Sequence, residues 1–244
     1  VSIGSVLDEA WTLYTKFFVR FFVIALVVFA IVNVVYALLL VAVDEDSTGG
    51  SLVAGAVAFT ATLVGGFWLQ GALVHAVQDA RDGTLDLRAA DAFARARPFV
   101  LPILLGSVLA ALGILGGLIL LIVPGIVLAI RWAIWTPAMV LERRGARSAL
   151  GRSNELVKGH SWTILAIVLI TAVLSGIAGS LLQAAFSAFP TFVEIALGST
   201  IANAVVVPFS AIALTISFFR LRELKEPVPA AATESSDPAL DAPR

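Results

Sequence analysis

Cysteine is absent from this chain, and histidine occurs only twice, at His75 and His160. The first absence removes disulfides, thiolate metal sites and cysteine nucleophiles together. The second leaves too few imidazoles for a histidine-based metal site. The short catalytic signatures are missing as well: there is no H-E-x-x-H, no G-x-S-x-G, no Walker loop and no dinucleotide fingerprint. No catalytic residue, cofactor or metal is therefore expected. Charge is scarce too. Asp, Glu, Lys and Arg make up 14% of the 244 residues, against roughly a quarter in soluble domains. What fills the chain instead is apolar: 59% of residues are hydrophobic and the mean hydropathy is +0.99. No water-soluble fold hides that much apolar surface, so lipid must solvate much of it.

Charge-free stretches run over 21–43, 47–78, 98–130, 161–193 and 195–219. A helix needs about 20 apolar residues to cross the hydrocarbon core, and its amides must be satisfied within the segment. The region 98–141 holds one charge, Arg131, and is too long for one helix. Gly116–Gly117 and Val123–Pro124–Gly125 are its two turn signals. Pro124 suits the first turn of a helix, where its missing N–H costs nothing. Span 3 is therefore placed at 99–122 and span 4 at 125–141, with a turn at the two glycines as the alternative. Pro190 separates span 5 (162–187) from span 6 (192–219). The expected fold is all-α, a polytopic bundle of six transmembrane helices.

Lysine and arginine are missing from every second loop. All but one of the 16 fall in the N-terminal segment, the second loop, the fourth loop or the C-terminal tail; the exception is Arg131. The opposite loops hold none, and the first of them carries Asp44, Glu45 and Asp46. Basic residues stay on the cytoplasmic side of a span, which places both termini in the cytoplasm of the cell (inner) membrane. Asp8 and Glu9 stand where a signal peptide needs a basic region, and the apolar run behind them is too long for one. The first span is expected to stay as an anchor.

Ahead of spans 1, 3 and 5 the apolar residues recur at helical spacing. The sets are Ile3, Val6, Leu7, Ala10, Trp11 and Tyr14; then Ala89, Phe93 and Ala96, capped by Thr84 or Asp86; then Ala149, Leu150, Ser153, Leu156 and Val157. Each reads as an amphipathic cytoplasmic helix along the inner leaflet. One reading of the pattern is three repeats of a helix plus a hairpin; the other is that basic lead-ins serve insertion alone. Residues 1–223 are then the membrane domain. The Pro-, Ala- and Ser-rich stretch 224–244 is expected to be a disordered cytoplasmic tail.

Small residues form stripes suited to close helix contact: Ala54, Ala58, Thr62 and Gly66; Gly113 and Gly117; Ala172, Gly176 and Ser180. Asn33, Asn203, Gln70, His75, Gln78 and Gln183 read as interhelical hydrogen-bonding groups. Arg131 is the sharpest residue, because a cation inside a span is costly and faces the bundle interior with a partner. Glu194 is the carboxylate at similar depth. Either the two pair and fix helix order, or Arg131 meets an anionic lipid or substrate group. The arginine-rich loops fit topology and attraction to anionic lipid, not nucleic acid.

The run Pro137-Ala138-Met139-Val140-Leu141-Glu142, then Gly145, Ala149-Leu150-Gly151-Arg152-Ser153, Leu156-Val157-Lys158-Gly159 and Trp162, resembles the membrane domain of bacterial glycerophosphoryl diester phosphodiesterases and related integral membrane proteins. Ser5-Val6-Leu7-Asp8-Glu9-Ala10-Trp11, Pro124-Gly125-Ile126 ahead of Arg131-Trp132, and Phe219-Arg220-Leu221-Arg222-Glu223 fit the same pattern. The resemblance implies that hydrolysis belongs to a separate soluble barrel, which this sequence does not carry, so no enzyme activity is transferred. Glu142, Arg152, Ser153 and Lys158 match motif positions, where Glu142 is placed to pair with Arg152 or Lys158. The same residues would make a lipid-headgroup site. The expected function is that of a non-enzymatic protein supporting envelope or lipid homeostasis through membrane lipids or a membrane protein partner. The alternative is a small transporter or lipid-translocating protein with its path near Arg131 and Asn203.

Overall fold

The computed structural model describes residues 2–42, 48–83 and 86–226. Asp44, Glu45, Asp46, Thr84 and the tail from 227 onward lie outside the described residues. Every element among the described residues is helical. Six stretches are long and apolar enough to cross a membrane: Phe18–Leu39, Gly49–Arg81, Ala89–Leu120, Ile122–Leu141, Ser161–Phe186 and Thr191–Lys225. The six-span α-helical bundle is thus the fold.

Helix α1 (Ile3–Lys16) starts where the Ser2 hydroxyl accepts the Ser5 N–H, and ends at Phe17, ahead of α2 (Phe18–Ala42). Its apolar stripe, Val6, Ala10 and Tyr14, is buried, and the Tyr14 hydroxyl donates to the Val205 carbonyl at 2.8 Å. α3 (Thr48–Arg81) has 34 residues, about 51 Å at 1.5 Å per residue, against a hydrocarbon core of about 30 Å. The excess is the best-packed part of the helix. Leu69, Ala72, Leu73, Ala76 and Val77 are buried, whereas Val53, Val57 and Phe59 are exposed. α4 (Ala89–Ala96) doubles back along this stretch with Ala92 and Ala96 inward. The Leu87 N–H donates to the Asp79 carboxylate at 2.9 Å, and the Trp68 indole N–H to the Phe93 carbonyl at 2.7 Å. Arg88, with no side-chain capping bond, occupies the N-cap of α4 in place of Asp86. Asp79 has already taken up a free amide at this turn from across α3.

A 3-10 turn (Arg97–Phe99) leads into α5 (Val100–Leu120). The chain reverses at Leu121, extended at φ −162°, and α6 (Ile122–Arg131) begins. Pro124 sits in the first turn of α6, as its missing N–H requires. Gly117 serves contact, not reversal, and Gly116 faces open space. A Cβ on Gly117 would lie 2.9 Å from the Gly125 Cα, and one on Gly113 2.5 Å from the Trp132 ring; Gly106 likewise seats Trp135. The fourth span is not one helix. It breaks at 132–134 and resumes as α7 (Trp135–Leu141). Pro137 is the physical reason: it has no N–H for the Ala133 carbonyl, and its ring crowds that residue in a continuous helix.

After α8 (Ala146–Val157) and α9 (Ser161–Phe186) come a single turn α10 (Thr191–Val193), a π-helical segment (Glu194–Ser199) and α11 (Thr200–Lys225). α11 extends to Lys225, where Lys225 donates to the carbonyls of Glu155 and Lys158 and Glu226 pairs with Arg152. Phe21, Ile24, Leu73, Ile212, Ile216 and Phe218 are fully buried in one core. That core lies toward the end where the basic segments gather. At the opposite end apolar groups are open: Ile119 and Leu120, at the α5–α6 turn, are 85% and 80% exposed. Ala54 and Ala58 pack as their stripe predicts, but Ala172, Gly176 and Ser180 face outward, and the Ser180 hydroxyl donates to the Gly176 carbonyl of its own helix at 2.7 Å.

Candidate functional site

Two ion clusters close the charged end of the bundle. Glu9 on α1 holds Arg220 at 2.6 Å and Arg81 at 3.4 Å, and Arg81 also holds Glu223 at 3.0 Å. Glu142, at the end of α7, holds Arg144 and, at 3.1 Å, Arg152 of α8; Arg152 also holds Glu226 at 2.7 Å. Burial works to lower the pKa of Arg152, but hydrogen bonds to Glu142 and Glu226 outweigh it, so the group is raised and stays charged. Glu142 and Arg152 therefore meet as the sequence proposes. Lys158 does not reach Glu142. It caps α8, and its carbonyl is taken by Lys225.

Arg131 is the last residue of α6 and lies beside α8. Its carbonyl accepts from the Ser153 hydroxyl at 2.8 Å, and its Nη1 donates to Asn154 at 3.4 Å. Its Nε is buried with no hydrogen-bond partner. Glu194 is elsewhere. It opens the π-helical segment and accepts from Gln183 at 3.0 Å. The Arg131–Glu194 pair is not formed: Arg131 lies against Ser153 and Asn154 of α8, while Glu194 is held by Gln183 of α9.

Residues 103–224, half of the chain, match the family model of the membrane domain of glycerophosphoryl diester phosphodiesterase. The chain belongs to that family. No curated protein and no solved structure gives a match. The matched stretch holds Arg131, Glu142, Arg152, Lys158 and Glu194, while α1 to α4 precede it.

Within the membrane domain, Arg131 stands in a groove of about 330 Å³ between α6 and α9. Val123, Ile126, Val127 and Ile130 line one side; Ser161, Trp162 and Leu165 line the other. Trp162 is 83% exposed. The first turn of α9, a 26-residue helix, opens here with no side-chain cap from His160, so unpaired N–H groups and the positive end of the helix dipole add to the field of Arg131. Burial, helped by the charge of Lys225, pushes the His160 imidazole below its ordinary pKa. The arrangement is an apolar slot with a cationic floor, suited to an anionic amphiphile.

The other polar residues divide. Asn33 donates to Thr200 at 3.1 Å, and Gln70 accepts from Thr136 at 3.3 Å, as interhelical bonds. Asn203 finds no such partner among the described residues. Sequence reasoning missed Ser153 and Asn154 as the partners of Arg131, and read Arg95 and Arg143 only as basic residues that set topology. The motif Ala149–Ser153 was in view, but not the packing of α8 against α6 that brings it to Arg131.

Proposed function

We propose that this membrane domain is a non-enzymatic multi-pass protein of the cytoplasmic membrane, with both termini in the cytoplasm. In this reading it supports envelope or lipid homeostasis by holding an anionic lipid between α6 and α9. The observation that carries it is the guanidinium of Arg131 in an apolar groove with no carboxylate. Arg81, Arg144, Arg152 and Arg220 each hold a glutamate; Arg131 has one long bond to a neutral amide. Desolvating a cation costs several kcal/mol unless a counter-charge repays it. A lipid phosphate would supply that charge and its acyl chains would cover Val123, Val127 and Leu165. The orientation is supported by the ion pairs, which join the N-terminal helix, α3, α8 and the end of α11. Each of these belongs to a segment that the positive-inside rule assigns to the same side. Transport has less support, since Phe21, Leu73, Ile212, Ile216 and Phe218 fill the charged end with apolar side chains.

The test is native mass spectrometry of protein released from nanodiscs of mixed phosphatidylglycerol and phosphatidylcholine. The wild type is expected to retain at least one phosphatidylglycerol more than Arg131→Leu, with Arg131→Lys in between. Equal retention by all three would remove the reading.

A further inference from the structure

A second cavity, of about 610 Å³, opens at the charged end among α3, the α4–α5 turn and the α7–α8 turn. His75 and Gln78 come from α3, Arg95 from α4, Pro98 and Phe99 from the 3-10 turn, and Arg143 from the residue pair after α7. No carboxylate is among these lining residues. Arg95 and Arg143 form no ion pair among the described residues, in a region where the neighbouring Arg144 and Arg152 are both held by Glu142. The His75 ring lies 6.0 Å from the Phe99 ring, and its Nε2 is buried with no hydrogen-bond partner. Two exposed guanidiniums and an amide therefore face one space that no carboxylate lines, with the half-buried His75 ring in its wall.

The backbone of Arg143 sharpens this. Its φ of 50° lies in the left-handed region. It ends α7 in a Schellman turn, with the Arg144 N–H on the Met139 carbonyl at 3.1 Å. Glycine takes that position without strain, and an arginine does not. Strained residues cluster where side-chain direction matters to function, and here the turn lets Arg143 line the cavity opposite Arg95.

We infer that His75, Gln78, Arg95 and Arg143 form a site for a phosphate group, distinct from the α6–α9 groove and independent of the lipid reading given for it. Paired guanidiniums match the charge and the fork geometry of a phosphate oxygen pair. Phe99 and Pro98 give an apolar wall for an esterified carbon. The phosphate has two sources, a lipid headgroup in the inner leaflet or a soluble phosphate compound.

The experiment compares wild type, Arg95→Gln, Arg143→Gly and Arg131→Leu in nanodiscs. In phosphatidylcholine discs, inorganic phosphate is titrated against chloride of equal ionic strength while thermal unfolding is followed. In discs containing phosphatidylglycerol, retained lipid is counted by native mass spectrometry. Arg143→Gly should unfold at a higher temperature than wild type without ligand, because the turn is relieved. It should also bind at least tenfold more weakly, and Arg95→Gln should bind more weakly too. Arg131→Leu should leave this site unchanged, so failure of the groove and failure of this site are told apart. A phosphate-induced shift lost in Arg143→Gly supports a soluble ligand; a phosphatidylglycerol lost from the Arg95 and Arg143 variants, in addition to any lost when Arg131→Leu is combined with them, supports a headgroup. If wild type responds to neither probe, or Arg143→Gly responds as wild type does, the site is overturned.

Discussion

Arg152 keeps 10% of its side chain exposed and Arg220 keeps 42%, and each holds a glutamate. Their pairs should differ in worth accordingly. Glu142→Gln weakens the main partner of a largely buried guanidinium and is expected to lower stability by about 2 kcal/mol. Arg220→Gln removes a solvent-screened contact and is expected to cost less than about 1 kcal/mol. Reversible unfolding in mixed SDS micelles reads both, and equal costs would contradict the burial argument. The Glu142–Arg152 pair was legible because opposite charges flank one short turn between two helical patterns. The partners of Arg131 were not. Glu194 was chosen by depth along the spans alone, whereas the packing of α8 against α6 brings Ser153 and Asn154 to Arg131.

Glycines on α5 act through contact with specific neighbours. Gly113 and Gly117 touch Trp132 and Gly125, whereas Gly176 on α9 has no neighbouring atom within 4 Å of an added Cβ. Gly117→Leu and Gly113→Leu are expected to destabilise the α5–α6 pair by about 1–3 kcal/mol through overpacking. Gly176→Leu should leave stability unchanged in the same unfolding assay. The long helices and the three lead-in segments were readable from hydrophobic periodicity, which burial against a neighbour enforces. The turn between spans 3 and 4, expected at Val123–Gly125 with Gly116–Gly117 as the alternative, lies at Leu121 instead, so α6 already begins at Ile122. The break before α7 was written in Pro137, but a single proline inside an apolar run is compatible with a mild kink or a full restart. Packing of Trp132 and Trp135 into the α5 glycines goes with the restart.

The six-span count came from charge-free runs divided at turn signals, and the alternation of basic and basic-free loops, a property of the whole chain, agreed with an even number. Because the protein has no native cysteine, each introduced thiol is a unique reporter. A membrane-impermeant maleimide applied to intact cells is expected to label Ser187→Cys and to spare Arg147→Cys, with the order reversed in inverted vesicles. The reverse pattern would refute the orientation. The docking of α1 on α11 also has a consequence in time. Tyr14 and its acceptor Val205 are 191 residues apart, and ribosomes add roughly 5–20 residues per second. For some ~10–40 s of synthesis, then, the face made by Val6, Ala10 and Tyr14 lacks the α11 surface it packs against in the finished fold. A late helix is the one that lets α1 settle.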